Sequence, residues 1–172
     1  MKYCMHCGAL LERHDRTQYS CTGCGYKHYL NPKAAVGIVL QSKHKNRVIL
    51  ARRGREPFKG ALDVIGGFVD NGETLEQAAV REIEEEVGLT YADVSNLTYM
   101  TSVFTEYEWM GKKVAVESIM FYAWITPGVA LTPGDDIASV EEYDITQEIP
   151  DDFECDWMRP TLLAVKDYLD RH

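Results

Sequence analysis

The stretch GGFVDNGETLEQAAVREIEEEVGL, residues 66–89, constrains this chain most. From Thr74 to Val87 it has the pattern of a helix, with Thr74 and Gln77 spaced as a capping box and Gly88 placed as a stop. At about 100° per residue, Val80, Ile83 and Val87 gather on one side, which should face a core. Glu82, Glu85 and Glu86 gather on another, while Glu84 points away from that arc. Carboxylates spaced i,i+3 and i,i+4 repel, and each such pair destabilises a bare helix by roughly 0.2–0.5 kcal/mol. Two readings follow from the residues alone. The helix has a solvated acidic face, or the three carboxylates hold a hard divalent cation such as Mg²⁺ or Mn²⁺. The Gly66-Gly67 pair ahead of the helix favours the second, because glycine lets backbone approach a ligand closely.

Apolar runs surround this helix. AAVGIVLQ (34–41) and RVILARR (47–53) read as a strand pair across SKHKN, followed by a loop over 54–63. LTYMTSVFTEY (97–107) and KVAVESIMFYAWI (113–125) read as a second hairpin. A loop over 126–139 leads to a short strand, VEEYDI (140–145), and PTLLAVKDYLDRH (160–172) reads as a terminal helix. Strands alternating with two helices predict an α/β fold with a mixed sheet.

The first 32 residues differ. Cys4-Met-His-Cys7-Gly and Cys21-Thr-Gly-Cys24-Gly are two C-x2-C-G knuckles separated by 13 residues. That spacing presents four thiolates to one tetrahedral ion and predicts a structural Zn²⁺ site. So short a unit cannot bury an adequate core, so the ion supplies folding energy. His6 and His28 are then expected to be exposed rather than ligands, and Cys155 to be a free thiol. With Asn31-Pro32-Lys33 as the hinge, the domains are 1–32, a zinc ribbon, and 33–172.

Charge narrows the choice of partners. The chain carries a net charge of −9, which disfavours nucleic acid as a general partner. Residues 1–62 are basic and the remainder strongly acidic, which suits an anionic substrate held partly through metal ions. No apolar run reaches the roughly 20 residues that span a bilayer. MKYCMHCGALLERHDR at the start has no signal-peptide apolar segment, so the expected location is cytoplasmic.

Gly67, Glu73, Arg81, Glu82, Ile83, Glu85, Glu86, Gly88 and Leu89 match every defined position of the Nudix box, G-x5-E-x7-R-E-U-x-E-E-x-G-U with U aliphatic. The chain therefore resembles the Nudix hydrolases from about residue 33 to its end. The family commonly has proline before the two glycines, where this chain has Ile65. The resemblance implies an α/β/α sandwich and a metal-dependent pyrophosphohydrolase that cleaves a nucleoside diphosphate derivative, of ADP-ribose or dinucleotide type. It implies Glu85 and Glu86 as Mg²⁺ or Mn²⁺ ligands with a Gly66 or Gly67 carbonyl nearby, Glu82 as a further ligand or the group that orients the water, and Glu73 paired with Arg81 as a brace. Asp136 is the leading candidate for the general base, ahead of Asp135, Glu117 and Glu142. Of Arg52, Arg53 and Arg55, at the end of the second strand, Arg52 and Arg53 are the leading candidates for phosphate contacts. Phe58, Tyr107 and Trp109 are candidates to stack on a base, while Phe104 and Phe121 are expected in the core. The resemblance also admits a homodimer.

A zinc ribbon ahead of the Nudix domain is similar to the NADH pyrophosphatase group, as is the junction YKHYLNPKAAV (26–36). That group carries S-Q-P-W-P-F-P-x-S after the box. The motif is absent here, where the chain reads NLTYMTSVFTEYEWMGKK. The alternative function is a nucleotide-sensing module whose ribbon contacts a partner or nucleic acid.

Overall fold

The computed structural model describes residues 2–44, 46–56, 58–146, 149–150, 152–153 and 158–172, with only the backbone at Trp109. Cys155 lies outside the described residues. The chain divides into two compact units, Met1–Pro32 and Lys33–His172.

The first unit is a three-stranded antiparallel sheet of β1 (Leu11–Arg13), β2 (Gln18–Cys21) and β3 (Lys27–Tyr29). Gly8 and Gly25 have φ of 75° and 73°, left-handed values that let each C-x2-C knuckle turn back on itself.

The second unit is built on a mixed sheet whose main path runs β10-β5-β4-β9-β8. Its strands are β4 (Lys33–Gln41), β5 (Arg47–Arg53), β8 (Val94–Trp109), β9 (Lys112–Ile125) and β10 (Ile137–Asp144). β4 and β9 are parallel, and the other pairs are antiparallel. Helix α1 (Leu75–Val87) covers one face with Ala78, Ala79, Ile83 and Val87 against Val36, Ile38, Ile49 and Phe121. Helix α2 (Met158–Arg171) covers the other with Met158, Leu162 and Val165 against Val39, Leu50, Met120 and Tyr122. The result is an α/β/α sandwich.

The hairpin β4–β5 pairs only at Leu40↔Ile49 and Gln41↔Val48, and then the two strands fork. Two short strands fill the fork. β6 (Leu62–Asp63) pairs with β5, and β7 (Ile65–Phe68) pairs with β4. From the sequence, residues 54–63 are expected to be loop. β6 and β7 are too short to show an alternating pattern, so long-range pairing rather than local propensity makes them strands. Phe104 also departs from expectation. It lies on the outer strand β8 and is 55% exposed, whereas Phe121 is buried in the core.

Among the described residues no helix is long and apolar enough to cross a membrane.

Candidate active site at the sheet fork

α1 forms where its caps dictate. The Thr74 side chain accepts the Gln77 amide, the Gln77 side chain accepts the Thr74 amide, and Gly88 closes the helix at φ 70°. The three carboxylates do not share one environment. Glu82 and Glu86 are buried beside the apolar stripe, while Glu85 and Glu84 are exposed.

β7 brings the glycines to the helix. Gly66 donates its amide to Glu86 Oε2 at 2.8 Å. Its φ is 152°, and a Cβ there would collide with the Val36 carbonyl of β4. A Cβ on Gly67 would collide with the Glu82 carboxylate. Gly66 thus lies close against the backbone of β4, and Gly67 against an acid of α1.

Arg81 ties this arrangement together. Its guanidinium donates to Glu73 Oε1 at 2.7 Å and Oε2 at 3.1 Å, to Glu82 at 2.7 Å, to Glu85 at 3.1 Å and to the Phe68 carbonyl at 3.0 Å. Glu73 also accepts the Asp70 amide at 2.6 Å. The Glu73–Arg81 pair thus braces the loop after β7 against α1.

Asp136 arrives from the loop between β9 and β10. Thr132 N donates to the Val87 carbonyl and Gly134 N to the Glu86 carbonyl, both at 2.9 Å. These are carbonyls that a helix C-terminus leaves without intrahelical partners. The Asp136 carbonyl accepts the Gly54 amide at 2.6 Å. With its loop so pinned, Asp136 lies beside Glu86, close enough to help raise its carboxyl. Arg53 approaches from β5, with Nη2 3.6 Å from Asp136 and Nη1 3.0 Å from Asp63.

The electrostatics follow from this crowding. Burial pushes the Glu86 carboxyl up to about 9, and the neighbouring Asp136 adds to the shift despite the Gly66 amide. Burial also raises Glu82, with Arg81 pulling the other way. Carboxyls raised in this manner are poised to exchange a proton for a divalent cation, and their oxygens are the donors that hard cations prefer.

The remaining candidates are spread out. Arg52 alternates to the opposite face of β5 from Arg53. There it donates to both oxygens of Glu141, to Asp152, to Tyr143 and to the Gly60 carbonyl. The structure brings Arg53, and not Arg52, to the carboxylates. Asp135 pairs with Arg55 at 3.3 Å on the surface. Glu142 is held by Ser42 and by Arg47, the latter at 2.7 Å, on the edge strand β10. Glu117 lies on β9 opposite Ala34 and Phe104. Phe58 is exposed, Tyr107 is half-buried, and the Trp109 side chain lies outside the described residues. Asp63 was not anticipated. Its signal was an acid inside the apolar run LDVI.

The NUDIX domain family matches residues 31–168. This chain belongs to the NUDIX domain family. It is 35% identical over 120 residues to the ADP-ribose pyrophosphatase of Methanocaldococcus jannaschii, a match spanning 70% of this chain and 66% of that protein. It is 32% identical over 155 residues to the NAD-capped RNA hydrolase NudC of Vibrio atlanticus, spanning 88% of this chain and 52% of that protein. The matched region thus covers between about half and just under two thirds of these relatives. A crystal structure of a NUDIX hydrolase from Nitrosomonas europaea superimposes with a TM-score of 0.70 at 27% identity, covering 100% of this chain and 92% of that one. The NUDIX domain of Shewanella oneidensis NrtR shares the fold, at a TM-score of 0.61 and 18% identity, over 82% of this chain and 90% of that one.

The ribbon ahead of this Nudix domain has its own candidate metal centre. The Sγ atoms of Cys4, Cys7, Cys21 and Cys24 all lie within 4.8 Å of one another. Cys4 and Cys24 are 3.9 Å apart and Cys7 and Cys21 3.4 Å. A tetrahedron with Zn–S bonds of about 2.3 Å has S···S edges of about 3.8 Å, so the four sulfurs fit one ion. Amides of His6, Gly23 and Cys24 point at Cys4 and Cys21 sulfurs at 3.4 Å. The Cys24 amide is the main influence that draws the Cys21 thiol down, while Cys24 itself, though the Tyr26 amide draws it down, is held up by Cys21 and Cys7. His6 is exposed as expected, but His28 is not. It is only 6% exposed and lies against Cys4.

Proposed function

We propose that this Nudix hydrolase is a divalent-cation-dependent pyrophosphohydrolase acting on a small nucleoside diphosphate derivative, of ADP-ribose or dinucleotide type. The observation that carries the reading is the meeting of Glu82 and Glu86 from α1, the Gly66 amide of β7, and Asp136 from the pinned loop. In this reading Glu82, Glu85 and Glu86 hold Mg²⁺ or Mn²⁺, with the backbone of Gly66 and Gly67 alongside. When bound, such ions neutralise the pyrophosphate, orient a water and lower its pKa. Asp136 takes the proton of the attacking water, since it faces the carboxylates from outside the helix. Arg53 contacts an outer phosphate oxygen, and Arg52 keeps its structural role with Glu141. Zn²⁺ occupies the four-cysteine site.

The similarity to an ADP-ribose pyrophosphatase and to a NAD-capped RNA hydrolase supports this substrate class. The net charge of −9 favours the small nucleotide over an RNA chain. The test is a panel of ADP-ribose, NADH, NAD⁺, FAD, diadenosine polyphosphates, nucleoside triphosphates and an NAD-capped RNA, with Mg²⁺ and then Mn²⁺. Selective release of a nucleoside monophosphate from ADP-ribose or a dinucleotide is the expected result. Silence across the panel, with folded and metal-loaded protein, would overturn it in favour of a nucleotide-sensing module.

A further inference from the structure

The ribbon carries a buried histidine that the four-cysteine site does not need as a ligand. His28 sits in the middle of β3, opposite Tyr19 of β2. Its Nε2 lies 3.5 Å from Cys4 Sγ, the reach of an N–H···S hydrogen bond. No nitrogen of His28 joins the four sulfurs in the group whose ligand atoms lie within 4.8 Å of one another. The imidazole therefore touches one sulfur from outside the tetrahedron. Tyr26 packs edge-on to it at 4.6 Å between ring centroids, and His6 lies on Tyr26 at 4.1 Å. Cys4 and Cys21 are buried, while Cys7 and Cys24 are exposed.

Four thiolates around one divalent ion leave a net charge of −2 on the site. Exposed sulfurs can share that charge with water. Cys4 is 3% exposed and cannot, so it depends on donors from the protein. Among the described residues two are present, the His6 amide at 3.4 Å and the His28 ring. We propose that His28 is an outer-sphere positioning residue of the ribbon metal. It donates Nε2–H to the Cys4 thiolate and slows the loss of that sulfur from the ion. The other ligand chemistry, direct coordination by His28 in place of a cysteine, is disfavoured by its position outside the sulfur group. The apolar reading, in which His28 only fills space under Tyr26, leaves the contact with Cys4 without a purpose. The proposal concerns the ribbon alone and does not depend on what the Nudix site hydrolyses.

The experiment uses the full chain loaded with Zn²⁺, and in parallel with Co²⁺ as a spectroscopic probe. Release of metal to an excess of coloured chelator is timed for wild type, H28F, H28M and H28Q. H28F and H28M remove the donor with different apolar shapes, so one can decide if the other fails to fold by circular dichroism. H28Q restores an N–H donor at similar reach. Expected are at least about tenfold faster release from H28F or H28M, the range for lost outer-shell partners, and substantial recovery in H28Q. The Co²⁺ visible bands should keep the pattern of a four-thiolate site in every variant. Release at the wild-type rate from H28F and H28M would overturn the proposal. So would Co²⁺ bands that change their ligand pattern in all three variants, which would make His28 a direct ligand.

Discussion

Asp63 holds Arg53: its Oδ2 accepts the guanidinium Nη1 at 3.0 Å, while Nη2 of the same group lies 3.6 Å from Asp136. The register explains the meeting, since Asp63 of β6 sits opposite Ala51 of β5 and Ile137 of β10 sits opposite Arg53. Burial raises the Asp63 carboxyl and Arg53 draws it back. Asn in place of Asp63 keeps the shape and removes the charge. D63N, which keeps an acceptor for Arg53 and removes a charge that burial disfavours, should therefore flatten the part of the pH dependence that Asp63 supplies, in which stability falls as pH rises above about 3.9. Urea midpoints compared from about pH 4 to about pH 7 check this, and a wild-type pH dependence in D63N would mean that Arg53 fully offsets the burial.

Glu86 gives the cation-free protein a pH dependence opposite to that of a surface carboxylate. Its carboxyl is raised from 4.5 to about 9, chiefly by burial. Below about pH 4.5 the folded and unfolded chains both hold this proton. Between there and about 9 the unfolded chain has released it and the folded chain has not, so stability falls as pH rises. The slope is at most about 1.4 kcal/mol per pH unit for one proton. E86Q mimics the protonated acid and should flatten the dependence in urea melts run with EDTA. A divalent cation should restore wild-type stability at high pH and leave E86Q unaffected. The same variant, and likewise E85Q, should lose at least about two orders of magnitude in turnover, as expected for removal of a catalytic cation ligand.

Gly67 tests contact between backbone and acid without altering a charge. The added methyl of G67A would displace the Glu82 carboxylate. Divalent-cation affinity, followed by Mn²⁺ titration, should weaken by about tenfold or more, the scale set by supporting groups around metal ligands. Circular dichroism should remain that of the wild type. Equal Mn²⁺ affinity in G67A would show that Glu82 has room to move aside.

Arg52 serves as the contrast to Arg53. Its bidentate bond brings Glu141 down to about 2, with help from the Tyr143 hydroxyl. An acid with a depressed value adds stability that is present above about pH 4.3 and lost as pH falls toward 2. R52Q should therefore unfold at higher pH in an acid titration while keeping near-wild-type turnover at pH 7. R53Q should instead lose turnover by about tenfold or more, because guanidinium is matched to phosphate oxygens.

The helix was legible because its signals are local. Thr74, Gln77 and Gly88 cap it by rules that need only neighbouring residues, and the acids sit at fixed spacings from them. The cysteine knuckles were legible for the same reason. The fork was not. Leu62–Asp63 and Ile65–Phe68 become strands only because β4 and β5 part and offer them open edges, and nothing in six residues announces a partner elsewhere in the chain. Arg52 and Arg53 stood side by side in the sequence, and strand alternation sends them to opposite faces. His28 reads as surface in the sequence because four cysteines complete a metal site without it. Its burial depends on the fold of the knuckles around Cys4.

The fork between β4 and β5 has a further consequence. The backbone ladder fixes β7, β7 fixes the glycines, and the helix that follows has only a short loop in which to turn. A chain that has paired its strands in register has thereby built most of its site before any ligand arrives. Little conformational search is then left to the binding step, and affinity for a cation or a phosphate reflects the site rather than the cost of assembling it. A one-residue slip of β7 would turn Gly66 and Gly67 to the wrong faces. Errors in folding and errors in catalysis would thus coincide, so a misregistered molecule is unlike a slow enzyme and has no site at all.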